Sequence, residues 1–87
     1  MADKGQRETT LAVAAPPGAK QLAKLSPRQL QVAQAIALEW KRQDIRDHLG
    51  VSLPTVQSHI NMIHSKLGTH NDVGVARIVY REGLVQP

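Results

Sequence analysis

The sequence predicts an all-α domain of four helices with a disordered arm at its N-terminus. Residues 52–68 place apolar side chains at helical spacing between two residues that typically cap helices. Another helical segment ends just before them, and capping signals near residues 26 and 71 predict two more helices. These observations assign a helix to nearly every segment after residue 25.

The composition limits what the protein can be. Its 87 residues permit one small domain, and the lack of cysteine excludes a disulfide framework, a thiolate metal site and a thiol nucleophile. The formal net charge of +4 favours a polyanionic partner. No stretch approaches the roughly 20 apolar residues of a membrane span, and the apolar run 11–15 is too short for a signal peptide. We therefore expect a cytoplasmic protein that does not enter a membrane.

Residues 1–22 are predicted to form the flexible N-terminal arm, with the folded domain at residues 23–87. The first ten residues are polar and charged, and the segment 14–18, of sequence AAPPG, cannot continue a helix or pair in a sheet. Such an arm either follows phosphates or docks on a partner, or it is a frayed terminus, which is the commoner case.

The first helix begins with a capping box. Ser26 and Gln29 have the required spacing, and Pro27 occupies the first helical position, where its missing N–H costs nothing. This helix should end near residues 38–40, and we expect Trp40 to pack in the core or at its rim rather than to bind a ligand.

A short second helix is predicted from about Lys41 to Leu49, with Ile45 directed inward. Residues 50–52, beginning with a glycine, then join it to the third helix. Two helices joined by so tight a turn are typical of a helix-turn-helix unit.

The third helix, at residues 52–67, has both of its ends marked. Ser52 is a suitable N-cap, Pro54 fits the first turn, and Gly68 suits the left-handed position that follows a helix. Four branched residues form a narrow apolar stripe: Val56, Ile60, Ile63 and Leu67. The opposite face bears no acidic residue and contains Gln57, Ser58, Asn61, Met62 and Ser65. A helix with one apolar side and one neutral polar side is suited to contact DNA.

The fourth helix is predicted at residues 71–82, capped by Asn71 or Thr69 and ended by Gly83. Its apolar residues cover more than the one face that a four-helix core needs. The surplus predicts a dimer interface of Val73, Ala76, Arg77 and Tyr80. The alternative is that Leu22, Leu84 and Val85 fold back over this surface.

The ordered set of fragments resembles the LuxR/GerE-type DNA-binding domain over residues 25–85. The fragments are LSPR at 25–28, DI at 44–45, LGVS at 49–52, TVxxH at 55–59, KLG at 66–68 and GL at 83–84. The resemblance implies a four-helix domain whose third helix enters the major groove and whose fourth helix mediates dimerisation on a two-fold operator. Most members of that family carry a receiver or signal-binding domain before this one, whereas we expect this chain to be a stand-alone version with only an arm there.

The chain departs from the family pattern at several positions. Members usually have Glu in place of Gln29, Gly in place of Glu39 and Ala in place of Arg46. Gln57 replaces a common Lys, which leaves Lys66 as the cation of the third helix, and Asn61 occupies a position that often contacts bases.

These positions predict the contacts with double-stranded DNA. Gln57 and Asn61 each suit bidentate bonds to adenine, Ser58 suits several bases, and Met62 either touches a thymine methyl or fills a gap at the core boundary. The predicted phosphate contacts are Lys41, Arg42, Gln43, Thr55 and Lys66.

The sequence does not predict an enzyme, a metal site or a cofactor. It contains no glycine-rich phosphate loop and no nucleophile with a plausible base. His59 and His64 differ by about 140° around the third helix and do not converge on a metal ion, and His59 is expected to be half-buried.

Two functions are therefore open. The first is a sequence-specific regulator that binds DNA as a homodimer. The second is an interaction module on the same fold that binds RNA polymerase or a larger LuxR-type regulator; the polymerase-facing domain of sigma factors is a related possibility.

Overall fold

The computed structural model describes residues 10–85, which form a short 3-10 helix, Leu22–Lys24, and four α-helices. The α-helices are α1, Pro27–Ala37, α2, Arg42–Leu49, α3, Leu53–Leu67, and α4, Asp72–Arg81. The predicted all-α fold class is confirmed. None of these helices has the length and apolar content that crossing a bilayer requires.

Helix α1 forms the centre of the domain, and it packs against both α3 and α4. Most of its residues are buried, including the small residues Ala33, Ala35 and Ala37, which let neighbouring helices approach closely. The stripe predicted on α3 is buried along its whole length: Val56, Ile60, Ile63 and Leu67. Ile45 attaches α2 to the same core.

The predicted caps are present. The Ser26 hydroxyl accepts the N–H of Gln29 at 3.2 Å, and the Gln29 side-chain oxygen accepts the N–H of Ser26 at 3.1 Å, so the capping box is complete. At α4 the Asn71 side chain accepts the N–H of Gly74 at 2.9 Å. Polar side chains thus satisfy N–H groups that have no partner inside the helices.

A residue with left-handed backbone angles follows the end of helix α1. Glu39 has φ 64°, and the N–H of the next residue, Trp40, donates to the carbonyl of Ala35 at 3.0 Å. This is the hydrogen-bond pattern of a Schellman ending, in which the left-handed position usually holds glycine. A side chain there costs roughly 1–2 kcal/mol.

The segment before α1 corrects the predicted domain boundary at residue 22. Leu11, only 3% exposed, and Leu22, fully buried, belong to the core, although both were assigned to the arm. The N–H of Ala12 donates to the side-chain oxygen of the buried Gln34 at 2.6 Å. The folded unit therefore includes residues from 10 to 22, and the remainder of the predicted arm lies outside the described residues.

Glu82, just after α4, fixes the end of this segment. Its carboxylate accepts the N–H groups of Gln21 and Leu22, each at 2.9 Å. Partial burial raises the pKa of Glu82, but the hydrogen bonds from backbone N–H groups and the nearby charge of Arg81 outweigh it, so the net pKa is below its usual 4.5.

We expect Glu39→Gly to stabilise the protein by about 1 kcal/mol, because glycine adopts φ 64° without a steric penalty. Urea unfolding measures the change. Glu39→Ala is the control and should change the free energy of unfolding by less than about 0.5 kcal/mol, since alanine keeps the strain. An equal gain in both variants would show that the backbone conformation is not the cause.

Glu82→Gln should lower the free energy of unfolding at pH 7 by about 1 kcal/mol, because the amide keeps an acceptor oxygen but loses the charge. The folded-state pKa is lowered, so the contribution of the charge is complete above pH 4.5 and is lost as the pH falls through the lower folded-state value. The difference between wild type and variant should therefore vanish in acid. A difference that persists unchanged at low pH would contradict this role, and Glu39→Gln supplies the control for removal of a carboxylate.

Candidate nucleic-acid interface

Helices α2 and α3 form the tight two-helix unit that the sequence predicts. Gly50 ends α2 with φ 68°, and the N–H groups of Gly50 and Val51 both donate to the carbonyl of Arg46, at 2.8 and 3.2 Å. The chain therefore changes direction within a few residues, and Ser52 caps the next helix by accepting the N–H of Thr55 at 3.3 Å. This geometry fixes the direction of α3 relative to α2.

The buried stripe of α3 determines which of its residues face outward. The four predicted base-contacting residues are all exposed and lie in the middle of α3: Gln57, Ser58, Asn61 and Met62. Met62 is 49% exposed, so it does not fill a gap in the core. The structure thus brings these four side chains to one accessible surface, which we call the α3 outer face.

Two amides on this face are linked to each other. The Nε2 of Gln57 donates to the Oδ1 of Asn61 at 3.0 Å, one helical turn away. Both side chains are exposed, and this bond does not use the Gln57 oxygen, an acceptor, or the Asn61 nitrogen, a donor. An adenine edge in the major groove offers the complementary pair, the N6 donor and the N7 acceptor.

The predicted phosphate contacts lie on or near α2 and α3. They differ in whether their side chains already have a partner inside the protein. Lys41 and Gln43 are exposed at the start of α2. The Thr55 hydroxyl lies 2.9 Å from the hydroxyl of Ser52, which caps the helix. These three residues border the N-terminal parts of α2 and α3.

The two remaining phosphate candidates have partners inside the protein. The ammonium of Lys66 donates to the side-chain oxygen of Gln29 at 2.7 Å, which ties the end of α3 to the start of α1. The guanidinium of Arg42 forms two hydrogen bonds to the Asp72 carboxylate, at 3.0 and 3.1 Å. The sequence indicated neither contact.

The predicted dimer residues of α4 lie at i, i+3, i+4 and i+7 of the helix, so they share one face, and they border two cavities that Val73 joins. Val73 is 64% exposed and Tyr80 39% exposed, and with Ala76 they border a groove of about 310 Å³ against the end of α1. The Tyr80 hydroxyl donates to the carbonyl of Ala37 at 3.2 Å. Arg77 lines the second cavity, beside the loop that precedes α4, and Val73 lines this cavity too.

The alternative to a dimer interface was that Leu22, Leu84 and Val85 cover the surplus apolar surface of α4. The structure shows this only in part. Leu22 and Val85 are buried in the core and Leu84 packs against it. Val73 and Tyr80 nevertheless remain accessible.

Contacts within the domain involve Trp40 and several of the histidines. His59 is half-buried, as expected, and the Nδ1 of His64 lies 2.7 Å from the Thr69 hydroxyl. Trp40 is buried, as expected, with its ring edge-on to His48 at a centroid distance of 5.0 Å. Between residues 10 and 85, no three His, Asp or Glu side chains lie close enough together to hold a metal ion.

Helices α2 and α3, joined by a tight turn, form a helix-turn-helix unit. The family model for bacterial regulatory proteins of the luxR family, GerE, matches residues 23–79, so the chain belongs to that family. Membership supports a role in the regulation of transcription.

Individual proteins are similar to part of this chain. The response regulators UvrY of Escherichia coli strain K12 and of Shigella flexneri are each 37% identical to this chain over 62 residues. The matched region is 71% of this chain but 28% of each relative, so the chain spans little more than a quarter of their length. No solved structure gives a significant match.

Sequence reasoning missed the polar residues that join distant segments. The sequence predicts no partner for Asp72, Gln34 or Glu82. Their partners lie 22 to 61 residues away along the chain, so no local spacing indicates the contacts.

Proposed function

We propose that this protein is a sequence-specific DNA-binding regulator of transcription that inserts α3 into the major groove and dimerises through α4. The observation that carries the proposal is the α3 outer face, which is exposed, neutral and free of acidic residues, while the opposite side of the helix is fixed in the core. A helix held in this way is what a helix-turn-helix protein presents to base edges.

Base contacts come from Gln57, Ser58, Asn61 and Met62 in this proposal. The linked amides of Gln57 and Asn61 act together on adenine, and the replacement of a common Lys at position 57 shifts the preference away from guanine. Met62 reaches a thymine methyl group from the edge of the same face.

Phosphate contacts flank these residues. Lys41 and Gln43 lie at the start of α2, where no side chain caps the helix, and Thr55 lies at the start of α3. Lys66 uses one N–H for Gln29, which leaves two more donors for a phosphate oxygen. Such contacts set the register on DNA and carry no sequence information.

Two copies would pair through the exposed residues of α4, Val73, Ala76 and Tyr80, with Arg77 at the margin. A two-fold dimer places two α3 helices one turn of DNA apart, about 34 Å. The proposed protein acts in the cytoplasm, on DNA, and has no enzymatic activity.

A second candidate is an interaction module that binds RNA polymerase or a larger LuxR-type regulator. The engaged state of Arg42 and the apolar groove beside Tyr80 favour it, because they weaken the phosphate contacts and leave an accessible protein-binding surface.

Selection of bound sequences from random DNA at moderate salt tests the proposal. An enriched palindrome with half-sites about one helical turn apart would support DNA reading by a dimer. Failure to enrich any sequence, with co-purification of polymerase or a larger regulator, would favour the second candidate.

Substitutions on α3 should separate base contacts from phosphate contacts. Asn61→Ala should cost about 1–3 kcal/mol on the selected site and relax the preference at one position, whereas Lys66→Ala should weaken all sequences alike and lower the salt slope by about 1. Fluorescence anisotropy on selected and scrambled duplexes measures both.

Ser65→Ala, also exposed on α3 but nearer its end, is the matched control and should have little effect. Equal losses on selected and scrambled DNA for Asn61→Ala would contradict a base contact.

A further inference from the structure

We propose that Asp72 competes with DNA phosphate for the guanidinium of Arg42 and so limits the sequence-independent part of DNA binding. This inference rests on the proposed function, since it concerns the phosphate contacts of the same interface. The proposed function names residues that increase the affinity for DNA. This inference adds Asp72, an acidic residue that decreases it.

The geometry of the pair is that of a guanidinium bound to an oxyanion. Nη1 and Nη2 of Arg42 donate to the two oxygens of Asp72 at 3.0 and 3.1 Å, so both terminal nitrogens face one carboxylate. A phosphate group presents two oxygens to the same fork in the same way. The carboxylate therefore occupies the edge of Arg42 that is best suited to phosphate.

The position of Arg42 makes phosphate the competing ligand. Arg42 is the first residue of α2, between the exposed side chains of Lys41 and Gln43. In helix-turn-helix proteins the first helix of the pair crosses the DNA backbone while the second enters the groove. The start of α2 is therefore the part of this helix pair where a cation and a phosphate should meet.

The structure also explains why Asp72 stays beside Arg42. Asp72 is the first residue of α4, whose N-cap is Asn71, and a carboxylate in the first turn interacts favourably with the helix dipole. The packing of α4 on α1 holds this turn in place, 30 residues away from Arg42 along the chain. The fold thus places the backbone of Asp72 within hydrogen-bonding reach of Arg42.

Exposure of the pair allows exchange of one anion for the other. The side chains of Arg42 and Asp72 are 37% and 48% exposed, so phosphate can approach the guanidinium without disruption of the core. Ion pairs at such sites are weak, which limits the effect of the competition to about two- to fivefold in affinity. The contrast is Lys66, whose internal partner is a neutral amide that uses one donor.

The test is a double-mutant cycle of Asp72→Asn and Arg42→Ala, measured on a fluorescein-labelled, mixed-sequence duplex over a range of salt concentrations. Asp72→Asn should bind about two- to fivefold more tightly at low salt, and its salt slope should steepen by up to about 0.9, the value of one extra phosphate contact. Because a phosphate contact carries no sequence information, the gain should be the same on every duplex.

Glu39→Gln is the charge-matched control, because Glu39 lines the same groove as Asp72 and its removal changes the net charge equally. Asp72→Asn should exceed this control in the wild-type background and equal it in the Arg42→Ala background. Asp72→Ser repeats the comparison with a short side chain that still suits a helix start, and thermal unfolding verifies that each variant is folded.

An equal gain from Asp72→Asn in both backgrounds would overturn the inference, since the effect would then be one of overall charge. A wild-type level of binding in Asp72→Asn would also overturn it while leaving the proposed function intact. If the wild type and every variant fail to bind the duplex even at low salt, the proposed function fails, and the inference fails with it.

Discussion

The burial of four branched residues on one side of α3 is the constraint on which the rest of the structure depends. Val56, Ile60, Ile63 and Leu67 lie in a stripe only one side chain wide, so the core accepts α3 in one rotational setting. A rotation by one residue, about 100°, would bury the amides of Gln57 and Asn61 in the apolar core, where one hydrogen bond between them satisfies only part of their polar groups. The same packing that stabilises the domain therefore selects the outer face.

Polar contacts between distant segments also hold the helices together, in addition to the apolar stripe of α3. Gln29 caps α1 and also holds Lys66 at the end of α3, so one side chain links two helices. Arg42 and Asp72 link the starts of α2 and α4. The net charge of +4 thus overstates the positive charge available to a partner, because two of the cations nearest α3 already have partners inside the domain.

Much of the fold could be predicted because its signals are local. The four helices, the capping box at Ser26 and the α3 stripe each follow from residues within a few positions of one another. The exposure of Gln57, Ser58, Asn61 and Met62 then follows from the stripe. Their contacts with DNA remain a proposal.

What could not be predicted depends on residues far apart in sequence. Leu11 and Leu22 precede the region that matches the family, and a proline-rich stretch between them resembles a linker, yet both are buried. The Glu82 carboxylate binds backbone N–H groups about 60 residues earlier, a contact that no spacing rule describes. The same holds for the carboxylate of Asp72, whose partner Arg42 lies 30 residues earlier in the chain.

The most direct test of the role of the α3 outer face is an NMR titration of the ¹⁵N-labelled protein with the duplex that it selects. We expect the largest shift changes at Gln57, Ser58, Asn61 and Met62, with smaller changes at the start of α2. Shift changes confined to α4 and the groove beside Tyr80, or an α3 that is unaffected by DNA, would contradict the role assigned to this face.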